Sequence, residues 1–182
     1  GLPTTQTGCI IALADRIDTL VGIFGIGQTP KGNKDPFALR RASLGVLRIL
    51  VEKQLNIDLK DLLTFAASQH ASLPKGKETV ELTLNYILDR FSSWYSDRHI
   101  APEVFYSVRA KSLTSPLDID NRVHAVAKFC QLEAAPALSE ANKRVSNILT
   151  KKKTTPSNKI NTAFFEKDAE AKLFEAISEI RT

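Results

Sequence analysis

Apolar positions recur along this chain at three- and four-residue spacing and nowhere in sustained alternation, so the pattern predicts helices throughout. The strongest segment opens at Lys34-Asp35-Pro36-Phe37 and ends near Glu52-Lys53. Asp35 reads as an N-cap, and Pro36 suits the first helical position, where a missing N–H costs nothing. From Phe37 to Val51 there is no Pro and a single Gly, Gly45, which predicts a helix of about four turns. Ala38, Leu39, Ala42, Val46, Leu47, Ile49 and Leu50 spread over more than half its circumference. A surface helix shows a narrower apolar stripe, so this one is expected to be central and buried on several sides. One arc differs: Arg40, Arg41 and Arg48 stand among Phe37, Leu44 and Val51. A guanidinium beside core positions needs a partner. Either carboxylates of this chain supply it or an external polyanion does.

The other segments follow the same period. Residues 1–8 read as an extended lead-in, and Cys9 to about Phe24 as a helix burying Ile10, Leu13, Ile17, Leu20, Val21 and Phe24. Asp15 and Asp18 fall on its opposite side and are the expected ion-pair partners of Arg40, Arg41 or Arg48. Gly22, Gly25 and Gly27 spell GxxGxG, but a phosphate loop follows a strand and opens a helix. This one follows a helix, so it is expected to end that helix in the left-handed conformation and to allow close packing. Lys31 and Lys34 beyond it remain available to phosphate as point charges. Asp58 caps a helix carrying Leu59, Leu62, Leu63 and Ala66. Residues 72–77 read as a linker. Thr79 to about Asp97 reads as one long helix with Val80, Leu84, Ile87, Leu88, Phe91 and Tyr95 inward, and with Trp94 as core. Pro102 and Pro116 open two more helices. Ser139 to about Leu149 forms another, residues 154–162 a polar loop, and Asp168 to Ile180 a last amphipathic helix burying Ala169, Leu173, Phe174 and Ile177.

Composition narrows the class. With 182 residues, 43% hydrophobic and 25% charged, the chain can bury the core of one domain or two small ones. Eight Gly and eight Pro are too few for a fibrous or disordered chain. No apolar run reaches the roughly 18 residues a membrane span needs. Cys9 and Cys130 sit on apolar helical faces far apart and read as two buried free thiols in a reducing compartment. His70, His99 and His124 share no metal-ligand spacing. A net charge of +5 permits nucleic-acid contact without requiring it, so clustering matters more than the sum. Lys143, Arg144, Asn147 and Lys151 lie on one face of the 139–149 helix and its extension, beside Lys152 and Lys153, with Leu138, Val145, Ile148 and Leu149 opposite. Glu140 sits one turn earlier on the border of that stripe.

Four blocks carry a family resemblance: ALADRIDTLVGIFGIG (12–27), KGNKDPFALRRASLGVLRIL (31–50), SPLDIDNRVHAVAKF (115–129) and ANKRVSNIL (141–149). In this order they resemble the beta subunit of the bacterial two-subunit glycyl-tRNA synthetase, a much longer chain, of which this would be an internal-to-C-terminal fragment. The resemblance implies an all-α bundle of about seven helices. Residues 1–73 would be the C-terminal part of an HD-type domain, 74–135 a helical body, and 136–182 the truncated start of a DALR-like anticodon-binding bundle. Asp15 matches the place of the last metal ligand of the HD phosphohydrolase superfamily. One carboxylate does not hold a catalytic metal, so Asp15 reads as structural and no metal site is expected.

The function implied is tRNA recognition and subunit assembly in the ATP-dependent attachment of glycine to its tRNA. The implied partners are glycine tRNA and the alpha subunit of a cytoplasmic heterotetramer, with no membrane. The alpha subunit would carry the aminoacylation site. This stretch would hold no catalytic residue and no cofactor, ATP and Mg²⁺ being used by the holoenzyme. Candidate tRNA-binding residues are Lys143, Arg144, Asn147, Lys151, Lys152, Lys34, Arg40 and Arg41. The alternatives are a fragment of an HD-type metal-dependent phosphohydrolase and a helical protein–protein module.

Overall fold

The central helix forms where its apolar arc requires, but it starts by a different route. In the computed structural model, which describes all residues except 31, 33, 77, 153–159 and 181–182 and the side chains of Lys152 and Ile180, α1 spans Gln6–Gly25 and α2 spans Leu39–Glu52. Asp35 does cap α2, yet from outside the expected register. Its Oδ1 accepts from Leu39 N at 2.8 Å and its Oδ2 from Arg40 N at 3.0 Å. Pro36 and Phe37 form a turn, and Ala38 takes a left-handed conformation with φ of 54°. The carboxylate therefore reaches over a short loop to the first free N–H groups of the helix. As a result, Phe37 lies outside the helix and is exposed.

Leu39, Val46, Leu47, Ile49 and Leu50 are buried, and α2 packs against α1, α4 (Glu78–Leu88), α5 (Arg90–Ser96) and α7 (Pro116–Phe129). The wide apolar arc thus corresponds to a helix surrounded by others. Around it, α1 contributes Cys9, Leu13, Ile17, Leu20, Val21 and Phe24 to the core. Ile10, expected in the core, is exposed. Helix α3 (Leu59–Gln69) begins at Asp58, whose carboxylate accepts from Lys60 N and Asp61 N. The same carboxylate accepts from the Thr114 hydroxyl, and Leu59 N donates to Thr114 O. The start of α3 is thereby tied to the loop between α6 (Pro102–Arg109) and α7.

The glycine-rich segment behaves structurally. Gly25 stands where a Cβ would lie 2.4 Å from Leu73 Cδ2, and its carbonyl accepts from Lys75 N at 3.0 Å. Gly27 follows at φ of 79°. Only a residue without a side chain lets the 73–75 turn rest on the end of α1, and glycine favours the left-handed geometry two residues later. That turn joins α3 to α4 within one packed unit. The expected single helix from 79 to 97 is broken at Asp89 into α4 and α5. An aromatic cluster fills the space beyond the break: Phe91 stacks on Tyr95 at 5.2 Å, and Phe105 of α6 lies 6.3 Å from Phe91. The buried Tyr95 hydroxyl donates to Asp120 Oδ1 of α7 at 2.9 Å. Burial first, and then the Asp120 carboxylate, hold its acidity far below that of a free tyrosine. Trp94 is core, as expected, with the Arg98 guanidinium 4.3 Å from its ring centroid.

Residues Gly1–Leu132 make one compact unit and Glu133–Thr182 a second. The second contains α8 (Ala135–Lys152), a short 3-10 turn (Thr162–Phe164) and α9 (Asp168–Ile180). Leu173 and Ile177 of α9 are exposed rather than buried, and Phe174 is half-buried against Phe165 at 5.9 Å. Among the described residues there is no strand, and no helix is long and apolar enough to cross a membrane. Cys9 is buried and Cys130 exposed, both free, so only one of the two thiols is in the core.

Candidate nucleic-acid interface

The basic residues singled out above fall into two groups, one in each unit. In the second unit, Lys143, Arg144, Asn147 and Lys151 are exposed on α8. No carboxylate among the described residues pairs with Lys143, Arg144 or Lys151, Glu140 included. Lys152 ends the same helix with its side chain outside the described residues, as is all of Lys153. The expected cause of this display does not hold. Leu138, Val145, Ile148 and Leu149 are exposed too, so among the described residues no packed apolar face fixes the basic face outward. What holds the stripe together is the backbone of an 18-residue helix, on which positions three, four and seven apart stay on one side.

In the first unit the expected arrangement is replaced by a simpler one. Arg41 and Arg48 are exposed rather than set among core side chains. Arg48 pairs with Glu52 at 2.7 Å along the same helix. The hydrogen bond from Arg48 holds the Glu52 carboxyl below its usual range. An exposed i,i+4 pair of this kind is worth a few tenths of a kcal/mol, about 0.3–0.5. Arg40 is half-buried and donates to the Gly32 carbonyl. Arg41 makes no ion pair among the described residues. Lys34 is exposed in the loop before α2, and Lys31 lies outside the described residues.

The aspartates of α1 take other partners. Asp18 Oδ1 lies 3.1 Å from His70 Nε2 at the end of α3. Asp15 is exposed and has no ion pair among the described residues, although it shares a shallow depression with Arg16 and Arg41. The reading of Asp15 and Asp18 as partners of Arg40, Arg41 and Arg48 therefore fails, and an internal carboxylate, Glu52, serves Arg48 alone among the three. Two cations went unweighed in the sequence. Arg16 crosses Gly45, where a Cβ would lie 2.6 Å from its Nε, and donates to Ala12 O at 2.7 Å. Arg98 covers Trp94. The signals were a lone glycine inside a strong helix and an arginine four residues after a tryptophan.

Neither group resembles a reaction centre. Among the described residues no three His, Cys, Asp or Glu side chains are placed to hold a metal. The Gly22–Gly27 segment closes a helix instead of cradling a phosphate. The arrangement is one of exposed cations, most of them on helices, a kind of surface that suits polyanions by charge. The family model for the glycyl-tRNA synthetase beta subunit matches residues 1–110. The chain belongs to this family. It is 52% identical over 178 residues to the glycine–tRNA ligase beta subunit of Chromohalobacter salexigens, covering 98% of this chain and 26% of that protein. The beta subunit of Hahella chejuensis is 52% identical over 180 residues, and that of Pseudoalteromonas atlantica 49% over 180, with the same coverage. The chain thus spans about a quarter of the length of the curated relatives it matches. Membership in the synthetase family sets aside both the phosphohydrolase and the bare protein–protein module.

Proposed function

We propose that this chain serves, as part of a glycine–tRNA ligase beta subunit, to hold glycine tRNA and to help assemble the enzyme with its alpha subunit. Attachment of glycine, with its ATP and Mg²⁺, is assigned to parts of the enzyme outside these residues, because neither a phosphate cradle nor a metal cage is formed by the side chains described. The working place of such an enzyme is the cytoplasm, as a heterotetramer of two alpha and two beta subunits. The observation that carries the reading is the unpaired cationic stripe of α8 in a chain of this family.

The chemistry follows from charge alone. Lys143 and Lys151 act as point charges, while the Arg144 guanidinium can grip two phosphate oxygens at once. Asn147 between them adds a neutral donor. Neutralised phosphates release condensed counterions, so this mode of binding weakens steeply with salt. Such contacts position an RNA and supply affinity, and base readout must come from elsewhere in the subunit. Lys34 and Arg41 add cations without ion-pair partners among the described residues of the first unit, and Arg40 is partly engaged by the backbone.

Titration of the full-length beta subunit with glycine tRNA and with an unrelated RNA of equal length tests this reading. The tRNA is expected to bind more tightly at physiological salt. Equal affinity for both RNAs, or binding that does not respond to salt, contradicts it.

A further inference from the structure

Helix α3 carries a second apolar row beside the one that fills the core, and α1 widens its core row outward through Ile10. Ile10, Leu13 and Ile17 of α1 and Leu62, Phe65 and Ala66 of α3 line a groove of about 350 Å³. Leu13 and Ile17 are also members of the buried core, so the groove is an open side of that core and not a separate patch. Its rim is strongly exposed, with Ile10 at 61% and Phe65 at 67%. Polar lining comes only from Asp18, which already faces His70, and from Gln69. No cation lines it, which makes it unsuited to RNA. Two rows at three- and four-residue spacing on neighbouring helices form the ridges and groove that seat one further helix.

We propose that in a whole beta subunit this groove is closed by an apolar helix of the same polypeptide, from outside these 182 residues. The chain spans 26% of its relatives, so most of such a polypeptide remains to supply it. An occupant seated on Leu13 and Ile17 extends the core of the first unit, as packing within one chain does. An interface between subunits more often sits on a patch with a polar rim. The inference rests on family membership and not on the tRNA reading, so loss of either leaves the other standing.

Hydroxyl-radical footprinting of the wild-type full-length beta subunit, read by mass spectrometry at Phe65 and Ile10, tests it without any substitution. The expected result is oxidation slowed about tenfold or more relative to the guanidinium-unfolded subunit, in the beta subunit alone and equally at low and high protein concentration. Oxidation close to the unfolded rate means an open groove and overturns the proposal. Protection that appears only with the alpha subunit, or that fades on dilution, assigns the groove to another chain and overturns it as well. Phe65→Asp in the same subunit is expected to lower its melting temperature by several degrees, and an unchanged value counts against a covered site.

Discussion

Replacing Asp58 by Ala removes a carboxylate that works in two directions. It caps α3 through Lys60 N at 2.8 Å and Asp61 N at 3.2 Å, and it receives the Thr114 hydroxyl from the loop before α7, 56 residues away. Loss of an N-cap costs about 1 kcal/mol. Loss of a partly buried hydrogen bond to a charged acceptor adds about 1.5 kcal/mol. The sum, about 2.5 kcal/mol, corresponds to a fall in melting temperature of about 8 °C for a chain of this size. Thr114→Val is expected to take away only the second part. The double variant should then show a coupling of about 1.5 kcal/mol, since both changes remove the same bond.

The loss depends on pH with a definite sign. Burial works against ionisation of Asp58, but the hydrogen bonds from Thr114, Asp61 and Lys60 outweigh it and hold its carboxyl below the usual range. The contribution is therefore complete above about pH 4, the unfolded value, and is lost as pH falls through the lower folded value. Thermal melts of wild type and Asp58→Ala followed by circular dichroism at pH 7 and pH 3 measure this. The gap between them should be wide at pH 7 and shrink as pH falls below about 4. A gap below 1 °C at neutral pH, by order of magnitude well under one cap, would refute the double role of Asp58.

Gly25→Ala should destabilise although alanine is the better helix former. The added Cβ would stand 2.4 Å from Leu73 Cδ2 and 3.3 Å from Leu73 Cβ, so the whole side chain must move. Overpacking of about 1–3 kcal/mol exceeds a propensity gain of about 1 kcal/mol, and denaturant melts should show the net loss. Arg41→Leu should change stability by less than about 0.5 kcal/mol, because the side chain is exposed and unpaired. The sequence pattern alone implied a loss of about 3 kcal/mol for breaking a buried pair, and a melting experiment separates the two values.

Periodicity made the helices legible, because burial of one face repeats every three to four residues whatever the neighbours are. It placed the inward rows of α2 and α5 and ended α9 at its observed limits. Local chemistry was legible where a short-range rule decides it, as at Asp58, Gly25 and Gly27. It failed where the chain bends between rules. Ala38 gives no hint in sequence that it will turn left-handed and carry Asp35 over the end of α2. The break at Asp89 lies in a stretch whose residues all suit a helix. Ile10, Leu138, Val145 and Leu173 show the deeper limit. An apolar row states that a surface can be buried, but whether it is buried depends on what else is present to cover it. The exposure of Arg41 and Arg48 followed from the same gap. A wheel places them beside core positions, while long side chains reach past the edge of the core into solvent.

The most direct measurement is the salt dependence of glycine tRNA binding by the full-length beta subunit with Lys143, Arg144 and Lys151 all changed to Ala. The substitutions leave the three-dimensional packing alone, since all three side chains are exposed and unpaired, so melting should be nearly unchanged. Affinity should fall roughly tenfold or more, and the slope of log affinity against log salt should become shallower by about 2–3, one step per lost phosphate partner. Affinity and slope both equal to those of the wild type would contradict the assignment and place the tRNA on another surface.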